Sequence, residues 1–105
     1  MTKAPDEKAY SKYFKAFGDP TRLRILLHLA SGEMMVNEIV KAVGLSQPVV
    51  SRHLAVLREA NAVISRREGQ RIYYRLNKVA VGSCCDGFRN CLAIQVIPSG
   101  RRKKK

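Results

Sequence analysis

The stretch VNEIVKAVGLSQPVVSRHLAVL, residues 36–57, decides the fold of this chain. Its first half places apolar side chains at i, i+3, i+4 and i+7, the spacing of one helical face. These side chains are Val36, Ile39, Val40 and Val43. Gly44 then offers a residue that adopts positive φ without steric cost, and Ser46 offers an oxygen that caps a following helix. The spacing predicts two short helices joined by a tight turn.

The second of these helices has two chemically different faces. Pro48 fits its first turn, because the missing N–H of proline costs little there. The packing face consists of Val50, Leu54 and Leu57, and the opposite face consists of Gln47, Pro48, Ser51, Arg52 and Ala55. The carboxamide of Gln47 can pair bidentately with adenine, and the guanidinium of Arg52 can pair with guanine or phosphate. The hydroxyl of Ser51 can hydrogen-bond to either kind of group. The pattern favours a DNA-reading helix-turn-helix, although similar helix pairs also occur in proteins that bind no DNA.

Two more helices are predicted ahead of this motif. The first, over residues 7–17, carries an aromatic stripe formed by Tyr10, Tyr13, Phe14 and Phe17. This stripe packs on the core of its own domain, forms part of a dimer interface, or does both. Asp19 and Pro20 begin the next helix. There we expect a buried stripe of Leu23, Leu26, Leu27 and Ala30.

A β-hairpin is predicted after the helix-turn-helix. Residues 62–66 and 71–76 are rich in Val, Ile and Tyr, and residues 68–70 supply the turn. Arg66, Arg67 and Arg71 gather at its tip. Such a cluster is often only solvated, but directly after a helix-turn-helix it favours a wing against the DNA backbone or minor groove. The expected fold class is mainly α with a small β-hairpin, a winged helix-turn-helix.

The charge of the chain indicates a polyanionic partner. The 105 residues carry a formal net charge of +12, and residues 101–105 account for five of these charges, so that residues 1–100 carry +7. This excess suits nucleic acid or an anionic membrane surface. No apolar run approaches the roughly 18 residues of a membrane span, and the N-terminus lacks the apolar segment of a signal peptide. We expect a cytoplasmic protein with no membrane partner.

All three cysteines lie within the eight residues Cys84-Cys85-Asp86-Gly87-Phe88-Arg89-Asn90-Cys91. Three thiols without a nearby imidazole form a soft ligand set that suits a thiophilic ion. Three sulfurs satisfy trivalent arsenic or antimony, whose lone pair fills the fourth direction, whereas structural zinc normally takes four ligands. The number and type of ligands favour As(III) over zinc. The spacing excludes the Cys-x5-Arg phosphate loop of an enzyme, since Arg89 follows Cys84 by five residues and Cys85 by four.

The same segment also fits one apolar face of a dimer-interface helix, which contains Val81, Cys84, Cys85, Phe88, Cys91 and Leu92. In an intact helix Cys84 and Cys91 lie roughly 10.5 Å apart along the axis, too far to share one ion. Gly82 and Gly87 are poor helix formers placed where the helix would have to unwind. We expect ion binding to need such a break, and Arg89 to favour the thiolates.

Three segments together resemble the ArsR/SmtB family of winged-helix metalloregulators. They are FKAFGDPTRLRILLHL (residues 14–29), LSQPVVSRHLAVLREA (residues 45–60) and ISRREGQRIYYRLN (residues 64–77). The resemblance implies a homodimeric repressor whose reading helices enter successive major grooves of a double-stranded, imperfectly palindromic operator and which leaves DNA on binding an inducer. It also implies that bases or phosphates face Ser46, Gln47, Ser51 and Arg52.

Two inducer sites of that family are absent from this sequence, and a segment that resembles a third is present. Met35 and Asn37 replace both thiols of the family's ELCVCDL arsenic pattern, and Asn77 and Lys78 occupy the region of the first ligands of its Asp/His/His/Glu zinc site. The cysteine segment instead resembles the CC-x-G-x-R-x-C site of one arsenic-responsive branch. The resemblance implies that the inducer, As(III) or Sb(III), binds Cys84, Cys85 and Cys91.

The expected organisation is a frayed N-terminus over residues 1–6, one winged-helix domain for DNA binding and dimerisation over residues 7–97, and a basic, disordered tail over residues 98–105. Two alternatives to the arsenic-responsive repressor stay open. One is a repressor that responds to thiol oxidation or to Cd or Zn, and the other is an unregulated DNA-binding protein with structural cysteines. None of these is an enzyme.

Overall fold

The computed structural model describes residues 7–93, which form five helices and a three-stranded antiparallel sheet. In chain order the elements are α1 (Glu7–Phe17), α2 (Pro20–Leu29), β1 (Met34–Met35), α3 (Val36–Val43), α4 (Gln47–Glu59), β2 (Val63–Glu68), β3 (Arg71–Leu76) and α5 (Lys78–Cys91). This confirms the winged helix-turn-helix that the sequence predicts. The expected N-terminal fraying and the expected basic tail lie outside the described residues.

The two helices of the helix-turn-helix meet at the predicted turn, and α4 continues two residues beyond the predicted end at Leu57. Gly44 ends α3 in the left-handed region, with φ of 73°, and its N–H donates to the carbonyl of Val40. Pro48 lies in the first turn of α4. Ser46 occupies the N-cap position, but its side chain makes no capping hydrogen bond, so the predicted cap was right in position and wrong in its hydrogen bond.

The core lies where α2, α3 and α4 meet, and it is closed by the base of the hairpin. Its buried side chains are Ala16, Ile25, Leu29, Ile39, Val43, Val50, Leu54, Leu57, Ala60, Ala62 and Val63. The predicted packing faces of α3 and α4 supply several of them, and Val36 and Val40 pack against the cluster while remaining partly exposed. The apolar period of both helices therefore points inward as expected.

The predicted buried stripe of α2 was wrong. Leu23 is 46% exposed and Leu27 is 72% exposed, whereas Ile25 and Leu29 are buried. Ala30 is exposed as well, and of the predicted stripe only Leu26 packs against the core. Apolar residues occur on several sides of α2, so periodicity allows more than one inward face. In the observed rotation of α2, Arg22 contacts the end of α1 and Arg24 contacts the end of α3.

The sheet contains the predicted hairpin and one more strand. In the hairpin Val63 pairs with Leu76 at one end and Glu68 with Arg71 at the other, which leaves a two-residue turn with Gly69 at φ 64°. The predicted turn was one residue longer. The extra strand β1 pairs with β3 and gives the order β1-β3-β2. Its two residues are too few to show an alternating pattern in sequence.

The aromatic stripe of α1 is shared between the core and α5. Phe17 packs against the core, and the rings of Tyr10 and Phe14 contact Phe88 of α5 with centroids 5.5 and 4.7 Å apart. Both ring pairs are edge-to-face, the favoured geometry for aromatic contacts. The stripe therefore packs on its own chain, although Phe14 remains 44% exposed.

Within residues 7–93 no helix is both long enough and apolar enough to span a bilayer.

Candidate DNA-reading surface and cysteine cluster

The outer face of α4 is polar and accessible. Gln47, Ser51 and Arg52 are all exposed, and Ser46 is exposed just before the helix. On the opposite side Val50, Leu54 and Leu57 have no exposed surface. Burial of one face fixes α4 against the domain, so the exposed face presents amide, hydroxyl and guanidinium groups outward in a fixed arrangement, as base-edge contacts require.

The hairpin lies beside this reading helix. A cavity of about 220 Å³ is bounded by Gln47 of α4, by Asn37 of α3 and by Gln70 and Arg71 of the hairpin turn. The tip of the hairpin and the start of α4 therefore border one continuous surface. This is the arrangement of a wing that contacts the DNA backbone while the helix reads bases.

The three wing arginines differ in their surroundings. Arg66 donates from Nε and Nη2 to the carboxylate of Glu33 at 2.8 and 2.9 Å, and from Nη1 to Glu68 at 3.2 Å. Its guanidinium also lies 4.4 Å from the ring centroid of Tyr73. These contacts lower the pKa of Glu33, chiefly through the hydrogen bond from Arg66. Arg67 and Arg71 are exposed and form no ion pair within residues 7–93.

The three cysteines occupy one continuous α-helix and do not converge. Cys84 is 8% exposed, whereas Cys85 and Cys91 are exposed. Because α5 is helical from Lys78 to Cys91, the axial rise between Cys84 and Cys91 is roughly 10.5 Å. Within the described part of the chain no three His, Cys, Asp or Glu side chains lie close enough to hold a metal ion. The donor set suits a thiophilic ion, but this conformation of α5 does not assemble it.

The expected effect of Arg89 on the thiols of this helix needs correction. Burial, and then the neighbouring Cys85, raise the pKa of the Cys84 thiol. Arg89 pairs instead with Asp86 at 3.3 Å, so the expected support of the thiolates by Arg89 does not lower the pKa of Cys84.

Gly87 also has a packing reason that the sequence does not reveal. A Cβ at this position would lie 2.8 Å from the hydroxyl oxygen of Tyr10. The same hydroxyl lies 3.9 Å from Sγ of Cys91. The end of the Tyr10 side chain therefore occupies the space that a Cβ at Gly87 would need, whereas at Gly82 nothing lies within 4 Å of the added atom.

Comparison with known proteins identifies the family of this chain. Residues 19–65 match the model described as "Bacterial regulatory protein, arsR family". The transcriptional repressor SdpR of Bacillus subtilis is 44% identical over 64 residues, which are 61% of this chain and 71% of that protein. The crystal structure of NolR from Sinorhizobium fredii matches with a TM-score of 0.67 and 32% identity, covering 90% of this chain and 100% of that one. The chain belongs to the arsR family.

Other members of the arsR family are similar over a shorter share of their length. The arsenic resistance transcriptional regulator ArsR1 of Pseudomonas putida is 52% identical over 65 residues, which are 61% of this chain. The chain spans about half the length of that relative, at 51%. SdpR and ArsR1 are named as regulators of transcription, which agrees with the expectation that this arsR family member is not an enzyme. The family match ends at residue 65, before the cysteines.

Several residues that hold the wing and the reading helix of this arsR family member have no signal in the sequence. Glu33 holds the wing through Arg66, 33 residues away. Arg22 contacts His53 on the reading helix, 31 residues away. Each pair joins elements distant along the chain, so no local spacing announces it. The only local signal is Asp19, whose carboxylate accepts from the backbone N–H of Arg22 as an N-cap.

Proposed function

We propose that this chain is a cytoplasmic, homodimeric repressor that binds palindromic operator DNA and leaves it when As(III) or Sb(III) binds the thiolates of Cys84, Cys85 and Cys91. The observation that carries the proposal is the exposed polar face of α4 beside the arginines of the wing, in a member of the arsR family. In this proposal Ser46, Gln47, Ser51 and Arg52 contact bases or phosphates, and Arg67 and Arg71 contact phosphates.

Arg66 has a different place in the proposal from the other wing arginines. Its three donated hydrogen bonds and its position over Tyr73 tie it to its own protein. Arg66 therefore holds the wing in position, and any DNA contact it makes is added to that structural task. The exposed positive charges of Arg67 and Arg71 favour DNA as the partner, because they can contact its phosphate backbone.

The choice of inducer is supported by the chemistry of the donor set. Three thiols and no imidazole lie within one helical segment, which suits a three-coordinate thiophilic ion. The name of the relative ArsR1 refers to arsenic resistance, which agrees with this choice. To bring Cys91 to the other two sulfurs, the last turn of α5 would have to unwind, and Phe88 would then leave Tyr10 and Phe14. Inducer binding and the α1–α5 contact would therefore compete.

Cysteine variants test this assignment. We expect Cys85→Ser and Cys91→Ser to keep operator binding nearly unchanged and to abolish or sharply weaken release by arsenite, measured by fluorescence anisotropy of labelled operator. Cys84 is buried, so Cys84→Ala is used beside Cys84→Ser to avoid a buried hydroxyl without a partner. Ser83→Ala, an exposed change on the same helix, is the control and should respond to arsenite as the unchanged protein does.

The competing interpretations give different results in the same assay. Titration of the reduced protein on its operator with arsenite, Zn²⁺, Cd²⁺ and peroxide in parallel would distinguish a thiol redox switch or another metal from arsenic. If all three cysteine variants released DNA at the arsenite concentration that suffices for the unchanged protein, the site assignment would be wrong. Footprinting that finds no discrete palindromic site would favour an unregulated DNA-binding protein.

A further inference from the structure

One side chain of α2 joins three helices. Arg22 donates from Nε to the carbonyl of Ala16 at 2.7 Å and from Nη2 to the carbonyl of Lys15 at 3.1 Å. Both carbonyls belong to the last turn of α1, where carbonyl groups lack partners within the helix. The remaining terminal nitrogen, Nη1, lies 3.2 Å from Nδ1 of His53 in α4. Arg22 thus connects the end of α1 to the middle of the reading helix.

The direction of the contact between Arg22 and His53 follows from the donors available. A guanidinium has no acceptor, so a hydrogen bond in this contact requires that Nδ1 of a neutral His53 ring accepts. Nδ1 also lies 4.0 Å from the carboxylate of Asp19, which is beyond hydrogen-bond distance. That carboxylate instead accepts from the backbone N–H of Arg22 at 3.1 Å. Arg22 is therefore the hydrogen-bond partner of the imidazole.

His53 lies at the border between the buried and the exposed faces of α4. Its side chain is 20% exposed, its neighbour Arg52 is exposed and its other neighbour Leu54 has no exposed surface. The apolar face of α4, formed by Val50, Leu54 and Leu57, is fully buried and holds the helix against the core. A hydrogen bond from a charged donor is strong and directional. The contact with Arg22 therefore adds a directional restraint on the angle at which α4 presents its reading face.

The other end of α1 contacts the helix that carries the cysteines. Tyr10 and Phe14 pack on Phe88, and the hydroxyl of Tyr10 lies 3.9 Å from Sγ of Cys91. A shift of α1 caused by a change in α5 would move the two carbonyl groups that Arg22 binds. Arg22 would then have to move with α1 or give up part of its contacts. Either outcome changes the support of His53.

We propose that Arg22 is a positioning residue, which fixes the orientation of the reading helix through His53 and transmits displacements of α1 to it. The transmission part rests on the proposed function, because it assumes an inducer that acts on α5. The orientation part rests only on operator binding. The two parts therefore have separate readouts.

Arg24 provides a matched control on the same helix. Its Nη1 donates to the carbonyl of Val43 at 3.1 Å, at the end of α3. Like Arg22 it satisfies a helix-terminal carbonyl from α2, but no hydrogen bond joins it to α4 within residues 7–93. A general loss of stability would appear in variants of either arginine, whereas a loss of reading-helix orientation would appear only with Arg22 or His53.

The test compares operator DNA with unrelated DNA at one salt concentration, using anisotropy titrations. His53→Leu removes the acceptor and leaves the contacts between Arg22 and α1. We expect it to lower the ratio of operator affinity to unrelated-DNA affinity by about tenfold, the size expected for a hydrogen bond to a charged group. His53→Gln offers a carboxamide oxygen as a replacement acceptor and should recover most of the ratio. Arg24→Gln should leave the ratio unchanged.

A double-mutant cycle excludes a direct DNA contact by His53. If the imidazole acts through Arg22, adding Arg22→Gln to the His53→Leu protein should lower its operator affinity little further. Full additivity of the two losses, an unchanged ratio in His53→Leu, or an equal loss in Arg24→Gln would each overturn the proposal.

In the second readout, arsenite should change operator affinity less in His53→Leu than in the unchanged protein. If arsenite has no effect on the unchanged protein, the proposed inducer fails while the affinity ratio still decides the role of Arg22.

Discussion

Gln47 and Arg52 of α4 have exposed side chains that take no part in the core. Replacement by alanine therefore removes contacts to DNA and leaves the fold intact. We expect Gln47→Ala and Arg52→Ala each to weaken specific operator binding by about 1 to 3 kcal/mol, the usual range for a base-edge contact, and to relax specificity at one position. Titration of operators with single base substitutions would measure both effects.

Arg67→Ala is the comparison for those two variants, because Arg67 is an exposed cation of the wing. Loss of a phosphate contact should weaken binding to all sequences alike and reduce the slope of log affinity against log salt by about one. If Arg67→Ala changed base preference as much as Arg52→Ala did, the division between reading helix and wing would be wrong.

Gly87 gives a second prediction at a single residue. Alanine favours a helix over glycine by about 1 kcal/mol, but here its Cβ would meet the hydroxyl of Tyr10 at 2.8 Å. We expect Gly87→Ala to destabilise the protein, and to become neutral or stabilising in a Tyr10→Phe background, where that oxygen is absent. Urea unfolding of the four proteins measures the difference. Stabilisation by Gly87→Ala in both backgrounds would contradict the close approach of α1 and α5.

Among the elements, the wing depends on a carboxylate outside it. The pKa of Glu33 is lowered chiefly by its hydrogen bond from Arg66. A carboxyl group with a lowered pKa stabilises the fold above its ordinary pKa range, and this contribution disappears as the pH falls through the lowered value. The wing should thus be fully held at neutral pH and loosen only in acid. We expect Arg66→Gln to raise the pKa of Glu33, followed by the NMR shift of its carboxyl carbon.

Arg67→Gln is the control for that titration, since it removes the next arginine of the same strand and should leave the pKa of Glu33 unchanged. The amide signals of β2 and β3 report at the same time whether the hairpin keeps its register. A pKa of Glu33 that does not respond to Arg66→Gln would show that the ion pair does not anchor the wing.

The elements that the sequence predicts well are those with local signals. Gly44 and Pro48 mark the end of α3 and the start of α4, and the periodic apolar residues between them select the inward faces. In α2 the local signals fail, because apolar residues surround much of the helix and only the contacts of Arg22 and Arg24 with other helices distinguish one rotation from another.

The candidate sites divide in the same way. The exposure of Gln47 and Arg52 follows from the period of α4, so the reading face is accessible to sequence reasoning. The pairing of Glu33 with Arg66 joins residues far apart in the chain and gives no pattern. The side chain that a Cβ at Gly87 would meet is Tyr10 of another helix, so the sequence alone predicts only a site for unwinding there. Such tertiary contacts escape any argument from spacing.

For the molecule as a whole, the formal charge of +12 affects binding to every DNA sequence. Electrostatic attraction of this kind raises association rates and nonspecific affinity, and salt screens it. Affinity for operator alone therefore says little about specificity. Specificity is therefore measured against unrelated or altered DNA sequences, or across a range of salt concentrations.

The last prediction concerns the assembly of two chains. Large apolar side chains stay exposed on three helices or at their ends: Phe14 of α1, Leu23 and Leu27 of α2, Val79 of α5, and Leu92 directly after α5. Val81 packs against the core, Cys84 is buried and Phe88 contacts α1, so the expected interface face of α5 is used only in part within one chain. Exposed apolar side chains of this number favour a protein–protein interface on these helices.

We expect a homodimer through α1 and α5, whose thermal midpoint rises with protein concentration because only the folded chain associates. Leu92→Lys should weaken the dimer in sedimentation velocity. Ile72→Lys makes the same chemical change at another exposed apolar residue, 36% exposed on the wing, and should leave association unchanged. A chain that stays monomeric at micromolar concentration while binding a palindrome tightly would contradict the dimer, because two reading helices in successive major grooves require two linked copies.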